Sequence, residues 1–189
     1  MVTPTIDISE SGRVSAGACL RYRLDVIAAD AVDVVGSAGG WLYDRVMAGW
    51  EVTVLLPNNR DTRSLRILGV SVADVESEFI DAALNSTSQT LAVSAAAFTV
   101  DARLRDKVLD ALDNRMTEVA LWGQPHQGWP LGVDRGLIKA QHLLSAAARR
   151  FKAAALAAAG IPCGEVGFTE TLLCDATRAA GDSELIRLT

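Results

Sequence analysis

The sequence predicts a three-layer α/β sandwich on a mainly parallel sheet of five or six strands, and three observations predict it. Short β-branched apolar runs alternate with stretches of helical spacing. Glycine or asparagine closes most of the helical stretches, and the links between them are short. Strand and helix in alternation is the pattern of right-handed βαβ units, which bury a parallel sheet between two helical layers. At 189 residues, 50% of them hydrophobic and 22% charged, the chain can build one domain with a proper core. Residues 1–17, rich in Ser, Thr and Gly, read as a flexible arm, with a short strand at Thr5–Ile8 at most. Residues 18–189 read as a single domain.

The elements follow in order. Ala18–Ala29 places Leu20, Leu24, Ile27 and Ala28 on one helical face. Ala31–Val35 is short, β-branched and bounded by glycine, as a buried strand would be. Trp41–Ala48 has helical spacing and ends at Gly49. A second reading makes Ala18–Gly49 one long helix or a helix pair, against which stand four glycines between positions 36 and 49. Glu51–Leu56 is the clearest strand, stopped by Pro57. Then come helix Thr62–Leu68, strand Val70–Val75, helix Glu76–Leu84, strand Thr90–Ser94, helix Asp101–Leu112 and strand Thr117–Trp122. Gly123–Gly132 is a loop dense in Gly, Pro and Trp. Asp134 caps a long helix to Ala159, closed by Gly160 and Pro162, and an edge strand is expected near Val166–Thr169.

The stretch "GSAGGWLYDRVMAGWEVTVLLP" resembles the first βαβ unit of Rossmann-type nucleotide-binding proteins, in which a glycine turn opens a helix that leads to a Gly-aromatic-Glu-Val-Thr-Val-Leu strand. The resemblance covers about twenty residues and implies a Rossmann-like fold. It further implies a phosphate held on free backbone N–H groups at a helix N-terminus. The three-glycine dinucleotide fingerprint is not kept, because Ala38 and Trp41 fall on its second and third glycines. The double glycine Gly39-Gly40 leaves room for a nucleotide or sugar-nucleotide phosphate.

The candidate ligand-binding residues are therefore Gly36, Ser37, Gly39 and Gly40 in the turn, Asn58 and Asp61 after the second strand, and Trp129 in the Trp-rich loop. There Trp129 could stack on a base or sugar, although Trp122 and Trp129 would equally pin the loop to the core. A cleft between the Gly36–Gly40 turn and the Trp122–Pro130 loop is the expected site. His126, in the same loop, is the histidine placed for proton transfer; His142 reads as a packed or surface residue in mid-helix. No hydrolase elbow, zinc-protease helix or phosphate-loop lysine motif is present.

Net charge of -5 gives no electrostatic case for nucleic acid or an anionic membrane. Cys19, Cys163 and Cys174 are scattered, which points to small buried hydrophobes and away from a disulfide framework or a metal site. The acidic N-terminus lacks the apolar core of a signal peptide. Ala146–Ala159 is too short to span a bilayer and is broken by Arg149, Arg150 and Lys152, so a cytoplasmic protein is expected. The same small-residue helix, 134–159, is a candidate surface for a protein partner or homodimer, its basic residues reading as a solvated face. Two functions follow as expectations. One is binding of a nucleotide-type or sugar-nucleotide-type small molecule at the carboxyl edge of the sheet. The other is a degenerate Rossmann-like domain that serves as an interaction or regulatory subunit without catalysis.

Overall fold

The computed structural model describes residues 22–57, 61–73, 79–100, 102–124, 129, 133, 137–162, 164–175 and 185–187. The expected arm over 1–17 lies outside them.

The first strand comes earlier than its predicted position. Arg23–Ile27 forms β1, buried from Leu24 onward, where helical spacing had been read. Asp30 then caps a 17-residue helix, α1 (Ala31–Met47): its carboxylate accepts the Asp33 N–H at 2.8 Å. Residues 31–35, expected as a strand, are therefore the opening turns of this helix. Both readings have an apolar face. What separates them is the cap, which fixes the helix start three residues before the Val34-Val35 pair. Gly49, at φ +90°, takes the left-handed conformation that ends α1, as its position predicts.

After α1 the predicted order holds, with β2 (Glu51–Leu55), α2 (Arg63–Ile67), β3 (Ser71–Val72), α3 (Phe79–Leu84), β4 (Thr90–Ser94), α5 (Ala102–Asn114) and β5 (Glu118–Trp122), and with one element that was not expected, a short α4 (Ala95–Phe98) after β4. The C-terminal third departs. The long helix expected over 134–159 divides into a strand, β6 (Leu137–Leu143), and a helix, α6 (Ala146–Ala158), capped by Ser145. Leu137, Ala140 and Leu144 suit a helical stripe, whereas Ala140, His142 and Leu144 suit an alternating strand, and sheet pairing decides for the strand. The last strands are β7 (Thr169–Asp175) and β8 (Leu185–Arg187).

Among the described residues the sheet has eight strands in the order β3-β2-β1-β4-β5-β7-β6-β8. β3 through β5 are parallel, while β7 runs antiparallel to both β5 and β6, and β8 antiparallel to β6. The expected mainly parallel sheet of five or six strands is thus a mixed sheet, and the segment expected at its edge near 166–169 leads into an interior strand. One face carries α1, α2 and α6 on a core that includes Leu24, Val26, Val54, Ala92, Trp122 and Leu172. The other packs Ile27, Leu91, Val93, Leu121, Phe98, Leu104 and Val108 under the α3–α5 layer. No helix among the described residues is long and apolar enough to cross a membrane.

Candidate active site

In open parallel sheets a ligand crevice forms where consecutive strands turn away to opposite sides. Here that point lies between β1 and β4: the chain leaves β1 toward β2 and β3, then returns to lay β4 and β5 on the other side. Three side chains mark the carboxyl edge there. Asp33 sits in the first turn of α1. Ser94 ends β4, fully buried, and caps α4 by accepting the Ala97 N–H at 3.0 Å. Trp122 ends β5 opposite Ser94 in register.

Trp122 donates its indole N–H to Asp33 Oδ1 at 3.1 Å, and the Ser37 hydroxyl reaches the same oxygen at 3.4 Å. The second oxygen, Oδ2, is shielded from solvent and has no hydrogen-bond partner among the described residues. A carboxylate oriented through one oxygen, with the other left open, is costly to bury and is uncommon unless something polar meets it. Asp30 contributes a second carboxylate at the same helix start. Among the described residues no three His, Cys, Asp or Glu side chains converge to hold a metal ion.

The predicted site residues fare differently. Gly36, Ser37, Gly39 and Gly40 form no turn; they lie within α1, past its first turn. Their backbone is occupied by a buried ion pair. Lys152 Nζ and Glu170 Oε1 stand 2.6 Å apart, both residues more than nine-tenths buried. The Glu170 carboxylate accepts the Gly40 N–H at 2.9 Å and the Trp41 N–H at 2.7 Å, while Lys152 donates to the Gly36 carbonyl at 2.7 Å. A Cβ on Gly40 would sit 2.6 Å from Leu144 Cδ2 and 3.2 Å from Glu170 Oε1. The double glycine admits a neighbouring strand and its glutamate, and a phosphate finds no free N–H groups there. Lys152, expected on a solvated face, is accordingly buried against α1.

Asp61 is exposed and accepts the Arg63 N–H at 3.3 Å, at the start of α2. Trp129 packs edge-on against Phe98, ring centroids 5.1 Å apart, with the core on the face of the sheet away from α1. It lies across the sheet from the glycines, so among the described residues Trp129 and the glycines do not line one cleft. Asn58 and His126 lie outside the described residues. His142 is in β6, not mid-helix; it is buried, and its Nε2 lies 2.9 Å from Asp44 Oδ2, tying β6 to α1. Cys174 is buried, as expected, while Cys19 and Cys163 are outside the described residues. Asp33, Ser94, Lys152 and Glu170 were missed. The one signal for Asp33 was the Asp30-x-x-Asp33 spacing after an apolar run, which marks a helix start.

A cavity of about 620 Å³ lies elsewhere, lined by Ser86, Arg103, Asp106, Lys107 and Asp110 among others. Lys107 there donates to the carbonyls of Leu84 and Ser86 at 2.6 and 2.8 Å. Burial pulls its amine below the usual lysine range, with Asp25 opposing. These contacts close the end of α3 and lead into β4, which enters the sheet at the edge away from Asp33.

No protein-family model matches the sequence, and no curated protein is significantly similar to it. Solved structures share its fold. A deacetylase of an antimicrobial pseudoaglycone is 16% identical with a TM-score of 0.55, covering 89% of this chain and 99% of that one. Teicoplanin deacetylase in a zinc-inhibited form is 14% identical with a TM-score of 0.54, covering 88% and 98%. A triple mutant of a deacetylase of the teicoplanin biosynthetic pathway is 16% identical with a TM-score of 0.52, again covering 88% and 98%. At this identity the likeness establishes the fold, over nearly the full length of both chains. These neighbours are deacetylases, not nucleotide-binding domains or regulatory subunits. With the glycines inside α1, that overturns the expected nucleotide or sugar-nucleotide ligand and the non-catalytic alternative.

Proposed function

We propose that the chain is a hydrolase of the deacetylase kind, removing an acetyl group from an acylated small molecule at the carboxyl edge of β1, β4 and β5. The observation that carries this reading is the Asp33 carboxylate at the crossover point, oriented through Oδ1 by Trp122 and Ser37, with Oδ2 buried and unpaired among the described residues. The solved structures of the same fold support it, since their described activity is deacetylation.

The chemistry asked of such a site is modest. Water must lose a proton as its oxygen attacks the acetyl carbonyl carbon; the bond from that carbon to the leaving nitrogen or oxygen then breaks, and the leaving group takes up a proton. Asp33 Oδ2 is the acceptor for the water proton and returns it to the leaving group. Trp122 and Ser37 hold Oδ1, so the carboxylate cannot rotate its open oxygen away. Burial near apolar groups removes competing solvent and strengthens these polar contacts.

The test is release of acetate and free amine from a panel of N-acetylated amino sugars and amino acids, with and without added zinc, because one neighbour was solved in a zinc-inhibited form. Wild type should release both products. Asp33→Asn should keep the fold and lose about a hundredfold or more in rate, the usual scale for a general base. Absence of release across the panel, or unchanged release by Asp33→Asn, would overturn the reading.

A further inference from the structure

Trp122 touches a second feature. Its residue borders a cavity of about 380 Å³, within the range of small-molecule sites, together with Leu121, Gln124, Trp129, Lys139 and Thr171. The register explains its walls. Leu121 of β5, Leu173 of β7 and Lys139 of β6 are successive cross-strand neighbours, and Thr171 follows on the same face of β7. The floor is thus two leucines, with an ammonium and a hydroxyl at one side. Trp129 forms an aromatic wall, fixed edge-on by Phe98.

Lys139 is the informative member. Its side chain makes no ion pair or hydrogen bond among the described residues, although the chain carries a net charge of -5. The other lysine of the antiparallel half, Lys152, is fully engaged. An ammonium left without a partner at the rim of an apolar, aromatic-walled cavity is arranged to meet an anion that arrives with an apolar body.

We infer that this cavity binds the carboxylate-bearing, ring-containing portion of an acylated substrate, with Lys139 as its charge partner and Trp129 against its ring. Leu121 and Trp122 point to opposite faces of β5, so the cavity lies on the face of the sheet away from Asp33, and a substrate would cross the carboxyl end of β5 with its acetyl group toward Asp33 and its anionic body toward Lys139. The assignment of the substrate portion rests on the deacetylase reading, whereas binding itself does not.

Calorimetry with N-acetyl-L-phenylalanine and its methyl ester separates the two. Wild type should bind the free acid about tenfold or more tightly than the ester, as expected for a hydrogen bond to a charged group. Lys139→Met should abolish that preference, and Lys139→Arg should keep it; the position is exposed, so the fold should survive both changes. Equal binding of acid and ester, binding of neither, or a preference that persists in Lys139→Met would overturn the inference. A preference without acetate release from any substrate would retain the pocket and remove the deacetylase reading. Acetate release without a preference would do the reverse.

Discussion

Glu170 shows how much one side chain can organise. It stands in β7 opposite His142 of β6, and these two residues reach the same helix at different heights, Glu170 at Gly40 and Trp41 and His142 at Asp44. Neither contact is with the residue's own strand partners; both carry the antiparallel strands onto α1, well beyond Asp33, at Gly40, Trp41 and Asp44. Glu170 is also the only counter-charge that the described residues offer Lys152, which is itself buried. Removing one member of such a pair leaves an uncompensated charge, and breaking it costs more than replacing both. Glu170→Gln should therefore lower stability by about 3–5 kcal/mol in denaturant titrations. Adding Lys152→Met should recover part of that loss, since the orphaned ammonium disappears, while the Gly36 carbonyl still loses its contact with Lys152. A double variant less stable than Glu170→Gln would show that Lys152 matters for its packing and not for its charge.

At the scale of the element, α1 offers the sharpest contrast. Gly36 and Gly40 stand one turn apart in the same helix, and neither has positive φ. A Cβ on Gly36 meets nothing within 4 Å, whereas one on Gly40 strikes Leu144 at 2.6 Å. Gly36→Ala should therefore stabilise the protein by about 0.5–1 kcal/mol through helix propensity alone. Gly40→Ala gains the same but must overpack a buried leucine, at about 1–3 kcal/mol, so its net effect should be destabilising. Thermal melts of the two variants should move in opposite directions; a shift in the same direction would mean that Leu144 yields freely. This helix also marks the limit of what was legible. From Glu51 to Trp122 most apolar runs are closed by a proline, glycine or asparagine, so most strands and helices fell where expected; the run that ends at Ser94 has no such stop, and the short helix Ala95–Phe98 follows it unannounced. Between Ala18 and Gly49 two apolar runs are separated by Ala29 and Asp30 alone, and either run can serve as the strand. Choosing the second run moved the glycines from mid-helix to a turn, and the phosphate site followed from that single shift. Asp33 was hidden for the same reason: read within a strand, it has no helix start to mark and no crossover point to occupy.

For the whole molecule, the question is whether the parallel and antiparallel halves are one cooperative unit. The parallel half of the sheet could be anticipated, but the insertion of β7 between β5 and β6 could not, because pairing partners separated by about fifty residues leave no local pattern. Leu137–Leu143 is held as a strand by β7 and β8 on its two sides, and its burial alternates only from Lys139 onward. The core argues for a single unit: Leu172 and Cys174 of β7 are buried with Leu24 and Val26 of β1 and with α1, and among the described residues no separate apolar cluster belongs to the antiparallel strands. Cys174, at 3% exposure, reports on this directly. In a Cys19→Ser/Cys163→Ser background it is the one remaining thiol. Its labelling by a thiol reagent should then require global unfolding, so the free energy and denaturant slope from labelling should equal those from circular dichroism. Labelling at a smaller free energy with a shallower slope would mean that β6, β7 and β8 open as a subdomain while the parallel strands stay folded. The polar tethers to α1 would then be too weak to join them, and Glu170→Gln should increase that opening without changing the global transition.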